Sequence, residues 1–266
     1  MHGCGCTPAD GGGSIGRGAQ GPSADEVKAA QARANDYLKD LKGADSARVS
    51  ALTTDGLSAT FPDHILFSVL FPQYPVARVA PEPLKPSNIL AVPKMKDGKP
   101  APITDLKQLE MFFKSSARAV KSETETYAAV EAWLRAVAEL NQDGFYKFSV
   151  KAESFAAADT AITASGRAKV DPAGGNKGEI TATLSFKDGQ IRTIDTRVNL
   201  IAGPRPICQA TKLLDPDPIV RRMAEDAIRV MGSAAKPYLD EQRAKASPEL
   251  KAAIDRIWKR IQNEGR

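Results

Sequence analysis

Apolar residues recur along this chain at two periods, and the points where the period changes mark out its elements. Val27, Ala30, Ala34, Tyr37, Leu38 and Leu41 share one side of a helix over residues 23–42, with Ser23 as its N-cap and Gly43 as its C-cap. That side is thin, so the helix is expected to lie on a surface. After Asp45 short strands take over. Residues 49–53 and 57–61 flank Thr54-Asp55-Gly56 and read as a hairpin. Residues 65–71 hold six apolar side chains in seven and read as a central strand, buried on both faces. Pro72, Pro75, Pro81, Pro83 and Pro86 then disfavour ladder pairing, so residues 76–79 are expected as an edge strand or an extended crossing. Residues 89–92 and 101–103 form a further hairpin around Asp97-Gly98.

Two helices follow. Asp105 caps one that carries Leu106, Leu109, Phe112 and Phe113 on one side. Ser122-Glu123-Thr124-Glu125 is a capping box, in which serine and glutamate satisfy each other's backbone donors. The helix it opens buries Tyr127, Val130, Trp133, Leu134, Val137 and Leu140, and Asp143-Gly144 ends it. From Phe145 the period is two: Tyr146, Phe148 and Val150, then Ile180, Ala182, Leu184 and Phe186, then Ile194, Thr196, Val198 and Leu200. Asp188-Gly189 as a two-residue turn would set Leu184 opposite Thr193 and put the apolar faces on opposite sides. Pairing Leu184 with Ile194 needs one extra residue, so a bulge or longer loop is expected over residues 189–191. The product is an antiparallel sheet packed on helices, an α+β arrangement. Its element order is similar to a cystatin-like curved sheet wrapped on a helix.

Beyond residue 202 the helical period returns. Asp215-Pro216-Asp217-Pro218 opens a run over residues 219–231 with Val220, Met223, Ala224, Ala227, Val230 and Met231 as its apolar side. A second run covers residues 234–245, and Ser247-Pro248 caps a third carrying Leu250, Ala253, Ile254, Ile257, Trp258 and Ile261. Helices this short cannot bury their stripes alone and must stack on neighbours. Asp217-Pro218-Ile219-Val220-Arg221-Arg222-Met223-Ala224, Ala227-Ile228, Met231-Gly232 and Ala234-Ala235-Lys236-Pro237-Tyr238-Leu239 resemble HEAT repeats. The resemblance covers about fifty residues, roughly one and a half units. It implies a curved helical surface for protein interaction; the alternative is a terminal helical cap for the main sheet.

Composition adds little. Apolar residues make up 42% and charged residues 26%, as in ordinary globular proteins. The net charge of +5 and pI near 9.0 suggest nucleic acid, but the distribution does not. From Ala24 to Leu200 there are 23 basic and 22 acidic residues, and from Asp215 to Arg266 there are 11 and 9. Phosphate binding needs cations focused on one face, so no nucleic-acid partner is expected. Nor does any run approach the roughly 20 apolar residues of a membrane-spanning helix.

At the start of the chain, Gly3-Cys4 precedes a Gly-, Pro- and Ser-rich tether and resembles the end of a bacterial lipoprotein signal. That resemblance implies lipidation at Cys4 and requires a basic and apolar leader upstream of Met1. His2, Cys4 and Cys6 lack a fourth ligand and the usual spacing of a zinc site. Two G-x-G-x-x-G matches, at residues 11–16 and 16–21, follow no strand, so they belong to a linker and not to a dinucleotide site.

Catalytic chemistry has few candidates. The histidines are His2 and His64, and no Gly-x-Ser-x-Gly elbow is present. Asp215, Asp217, Glu123 and Glu125 all sit at helix starts, where capping explains them. Cys208, at the junction of sheet and helices, reads as a small buried apolar group.

The expected organisation is a Gly-rich disordered tail (1–22), an α+β domain (23–202) and a small all-α HEAT-like module (203–266). The expected function is a non-enzymatic interaction or scaffold protein that binds another protein, without catalytic residues, metal or cofactor. It would be tethered by Cys4 outside the cytoplasm; the alternative location is the cytoplasm. The alternative function is an enzyme or small-ligand sensor with its site near His64, Asp63 and Tyr74.

Overall fold

Half of helix α4 (Glu123–Leu140) is buried, and its buried residues cover about two thirds of its circumference where an ordinary surface helix has a narrower stripe. Ala129, Val130, Ala132, Trp133, Leu134, Ala136, Val137 and Ala138 are all inside. A helix with so wide an apolar surface must be covered from more than one side, and α4 lies between two antiparallel sheets, with Glu131, Arg135 and Glu139 along its remaining side. The computed structural model describes residues 21–159, 161–172 and 175–265. The expected tail, with Cys4, lies almost wholly outside the described residues.

The first sheet has the order β1 (Arg48–Ala51), β2 (His64–Leu70), β3 (Ser87–Pro93), β4 (Ala101–Ile103), all antiparallel. β2 is the expected central strand, apolar on both faces. Leu66, with Ile89, Ala91 and Ile103, faces α4. Ile65, Phe67 and Val69, with Leu90 and Val92, face Ala30, Ala34 and Leu38 of α1 (Ala24–Lys39). So α1 covers a whole sheet face, and its alanines are what allow the close approach. Ser23 and Glu26 cap it reciprocally, while the helix stops at Lys39, short of Gly43, whose φ of 94° serves the turn that follows.

The hairpin expected over residues 49–61 does not form. Only β1 is a strand; residues 55–60 are a short helix, α2 (Asp55–Thr60). Thr54 occupies its N-cap position and Asp55 its first turn, where an acidic group is favoured. Leu57 and Phe61, four residues apart, both enter the core around α4, so the operative period here is that of a helix. Residues 76–79 form no strand, and Val79 is 86% exposed. The pairing of β3 with β4 is as the sequence predicts.

The second sheet is a meander, β5 (Phe148–Ala158), β6 (Ala161–Val170), β7 (Lys177–Lys187), β8 (Gln190–Ile201). Ala164, Ala168, Ile180, Ala182, Leu184 and Phe186 face α4, and the other face carries Thr, Ser and charged residues. Leu184 pairs with Ile194, and the required extra residue is Arg192, three past the turn; the turn itself has only Asp188 and Gly189, both at positive φ. Helix α3 (Leu106–Ser116), capped by Asp105, adds Leu109 and Phe113 to the same core. Ser122 caps α4 as expected, but Glu125 accepts from the backbone of Lys121 and not of Ser122.

The chain ends in α5 (Pro218–Met231), α6 (Ala235–Ala244) and α7 (Pro248–Asn263), within a residue or two of the expected bounds. Ala224, Ile228, Met231, Leu239, Ile254 and Ile257 form a core distinct from the two above. Trp258 is half-buried, with the Lys236 ammonium 5.5 Å from its ring centre. The whole is α+β, with the terminal helices stacked on one another.

Candidate functional site

Two surfaces carry features that the fold does not use. The first is on α5. At about 100° per residue, the buried residues Ala224, Ala227, Ile228 and Met231 span an arc of about 100°. Ile219, Met223 and Val230 fall within about 40° of one another beside that arc, and they are 59%, 53% and 65% exposed. The sequence placed Met223 and Val230 on the buried side. The apolar arc is about twice as wide as α6 and α7 can cover, so its outer half faces solvent. Asp217 caps the helix by accepting from Ile219, and Asp215 accepts from Asp217 and pairs with Lys212 at 2.9 Å. Both acids therefore serve the helix start, as do Glu123 and Glu125 on α4.

The second surface is a cleft of about 280 Å³ between α6, the 72–75 loop and the turn joining α4 to β5. Pro72, Tyr74, Pro75, Phe145 and Pro237 make its apolar wall. Arg48 of β1 reaches Glu241 of α6 at 2.9 Å across one end. Most polar groups around it are already bonded. The Asn176 amide donates to the Phe145 carbonyl and accepts from Gly203. The Tyr238 hydroxyl accepts from Ala210, and burial holds it above the usual tyrosine range. Asp143 is paired at 2.6 Å with Arg205, whose guanidinium lies 5.0 Å from the centre of the Phe145 ring. Asp143 and Glu241 are thus both charge-paired, and the concave, partly apolar cleft has the form of a small-molecule site.

The residues of the alternative site do not come together. His64 begins β2, whereas Tyr74 lies four residues past its far end and T-stacks on Phe145. His64 is half-buried, edge-on to Phe112 at 5.2 Å, with Nδ1 buried and without a hydrogen-bond partner among the described residues. Burial pushes its pKa down, against a smaller opposing pull from Asp63. Cys208 packs against the core of the terminal helices but is only half-buried, where the sequence suggests a buried group. Among the described residues no three His, Cys, Asp or Glu side chains gather as metal ligands, and no helix is long and apolar enough to cross a membrane.

The cleft was not legible in the sequence because its walls come from five separate segments, none with a local pattern. The exposed stripe was legible as apolar residues, but not as unburied ones. Compared with known protein families, curated proteins and solved structures, the chain matches none.

Proposed function

We propose that this chain is a non-enzymatic interaction or scaffold component whose terminal helices, a HEAT-like module, dock an amphipathic helix of another protein along α5. The observation that carries this reading is the stripe of Ile219, Met223 and Val230, apolar and more than half exposed. Water gains nothing from it. Burying each of these side chains in an interface contributes roughly 1 kcal/mol, and an amphipathic helix presents a stripe of matching width. The exposed Asp226 and Arg222 border the stripe on one side, charges of both signs that form a polar rim beside it. Tethering by lipidation at Cys4, outside the cytoplasm, extends the proposal. An in-frame basic and apolar leader in the DNA upstream of Met1 checks it.

A photo-crosslinking residue placed at Met223 in producing cells tests the docking surface. The expected result is one discrete adduct with another protein, absent when the crosslinker replaces Thr181 on the polar face of the second sheet. No adduct, or the same smear from both positions, overturns it. The cleft beside α6 favours a second reading, a small-ligand sensor. That reading requires a compound whose binding raises the melting temperature, and Tyr74→Ala to abolish the rise.

A further inference from the structure

Strand β8 is the last strand of its sheet and pairs only with β7, from Lys187↔Gln190 to Lys177↔Ile201. Among the described residues no other strand or loop backbone bonds to its outer side. That leaves a row of unpaired peptide groups, a template for another strand. The opposite edge, β5, is broken in mid-strand, where the register jumps from Ala152 to Ser154. The irregularity of β8 sits instead beside its hairpin turn. From Thr193 to Ile201 the edge is unbroken and has no proline. The side chains facing the helices are Ile194, Thr196, Val198 and Leu200, without a charge among them. Val198 shares its face with the buried Ile180, yet is 42% exposed.

An antiparallel pair of β8 strands must keep apolar side against apolar side, which allows only every second register. Placing Thr196 on the two-fold axis sets Asp195 opposite the partner's Arg197, and Arg197 opposite the partner's Asp195. The same register sets Ile194 opposite the partner's Val198, twice. In the next allowed register on one side Asp195 faces itself, and on the other side Arg197 faces itself. Opposite charges directly across a ladder stabilise and like charges destabilise. The sequence of β8 thus distinguishes one self-pairing from its neighbours. Asp195 and Arg197 are both exposed.

We propose that a second copy of this chain adds to β8 in that antiparallel register, joining two four-stranded sheets into one of eight strands. This rests on β8 alone and is independent of the α5 surface. The test is sedimentation of the full chain over a dilution series, beside Asp195→Arg, Arg197→Asp and an equimolar mixture of the two. The wild-type chain dimerises, and each variant alone sets like charges opposite one another twice and weakens the dimer about tenfold or more. In the mixture every 195–197 pair is again complementary, so the dimer returns. A wild-type chain that stays monomeric, variants that dimerise like it, or a mixture that stays monomeric each overturn the proposal.

Discussion

Glu139 sits near the end of α4, half-buried against the first sheet, with the Ser68 hydroxyl bonded to its carboxylate. Burial raises its pKa, and the Ser68 bond offsets only part of that. In the window between the ordinary carboxylate value and this raised one, the folded chain holds a proton that the unfolded chain has lost. Stability therefore falls as pH rises through the window, and above it the cost is constant. Glu139→Gln keeps a group that bonds Ser68 and removes the charge. It should raise Tm at pH 7 by roughly 2–4 °C, with the gain disappearing in acid where the wild-type carboxyl is protonated. Thermal melts across pH check this. A variant less stable than wild type at pH 7 would mean that the ionised carboxylate is stabilised by its surroundings. His64 has the opposite dependence. Its lowered pKa makes the folded chain resist protonation, so its contribution to stability declines as pH falls below the ordinary histidine value.

At the scale of elements, legibility followed the size of the side chains. β7 and β8 were readable because Ile180, Leu184, Phe186 and Ile194 mark one face at period two. β6 was not, because between Ile162 and Val170 at its ends its inward residues are Ala164, Gly166 and Ala168, which give almost no apolar signal. They are small because α4 presses on them. A Cβ at Gly166 would lie 2.9 Å from Val130 Cγ1 and 2.6 Å from the Lys151 carbonyl oxygen. Information about β6 thus resides in the helix that covers it, and a reading of local periodicity cannot recover it. Gly166→Ala should destabilise the chain by about 1–3 kcal/mol, and Val130→Ala in the same chain should lessen that effect by making room. Urea unfolding of the two single variants and the double variant measures the coupling. Strictly additive losses would show that α4 and β6 do not crowd each other at this point. The misread segment at residues 55–60 has a related cause. Thr-Asp-Gly opens turns and helices alike, and only the core around α4 decides between them.

For the whole molecule, the terminal helices have their own core and are tied to the body by charged contacts as well as by the packing of Phe145. Arg205 is pinned between Asp143 and the rings of Phe145 and Tyr146, and Arg48 reaches Glu241 across the cleft. The buried pair between Arg205 and Asp143 fixes the connector, so α5 is displayed from a seated module. The arrangement of these helices was legible because their caps and stripes are local. Which half of the α5 stripe stays wet was not, since it depends on where α6 and α7 fall. If α5 is a docking surface, Ile219, Met223 and Val230 do nothing for the chain's own folding. The direct measurement is the melting temperature of the Ile219→Gln, Met223→Gln, Val230→Gln triple variant beside that of Ile228→Ala. Glutamine keeps helix propensity, so the triple variant should melt within about 2 °C of wild type. Ile228→Ala, in the core, should lose about 2–4 kcal/mol. A triple variant that falls as far as Ile228→Ala would show that the stripe is structural and would contradict the docking surface.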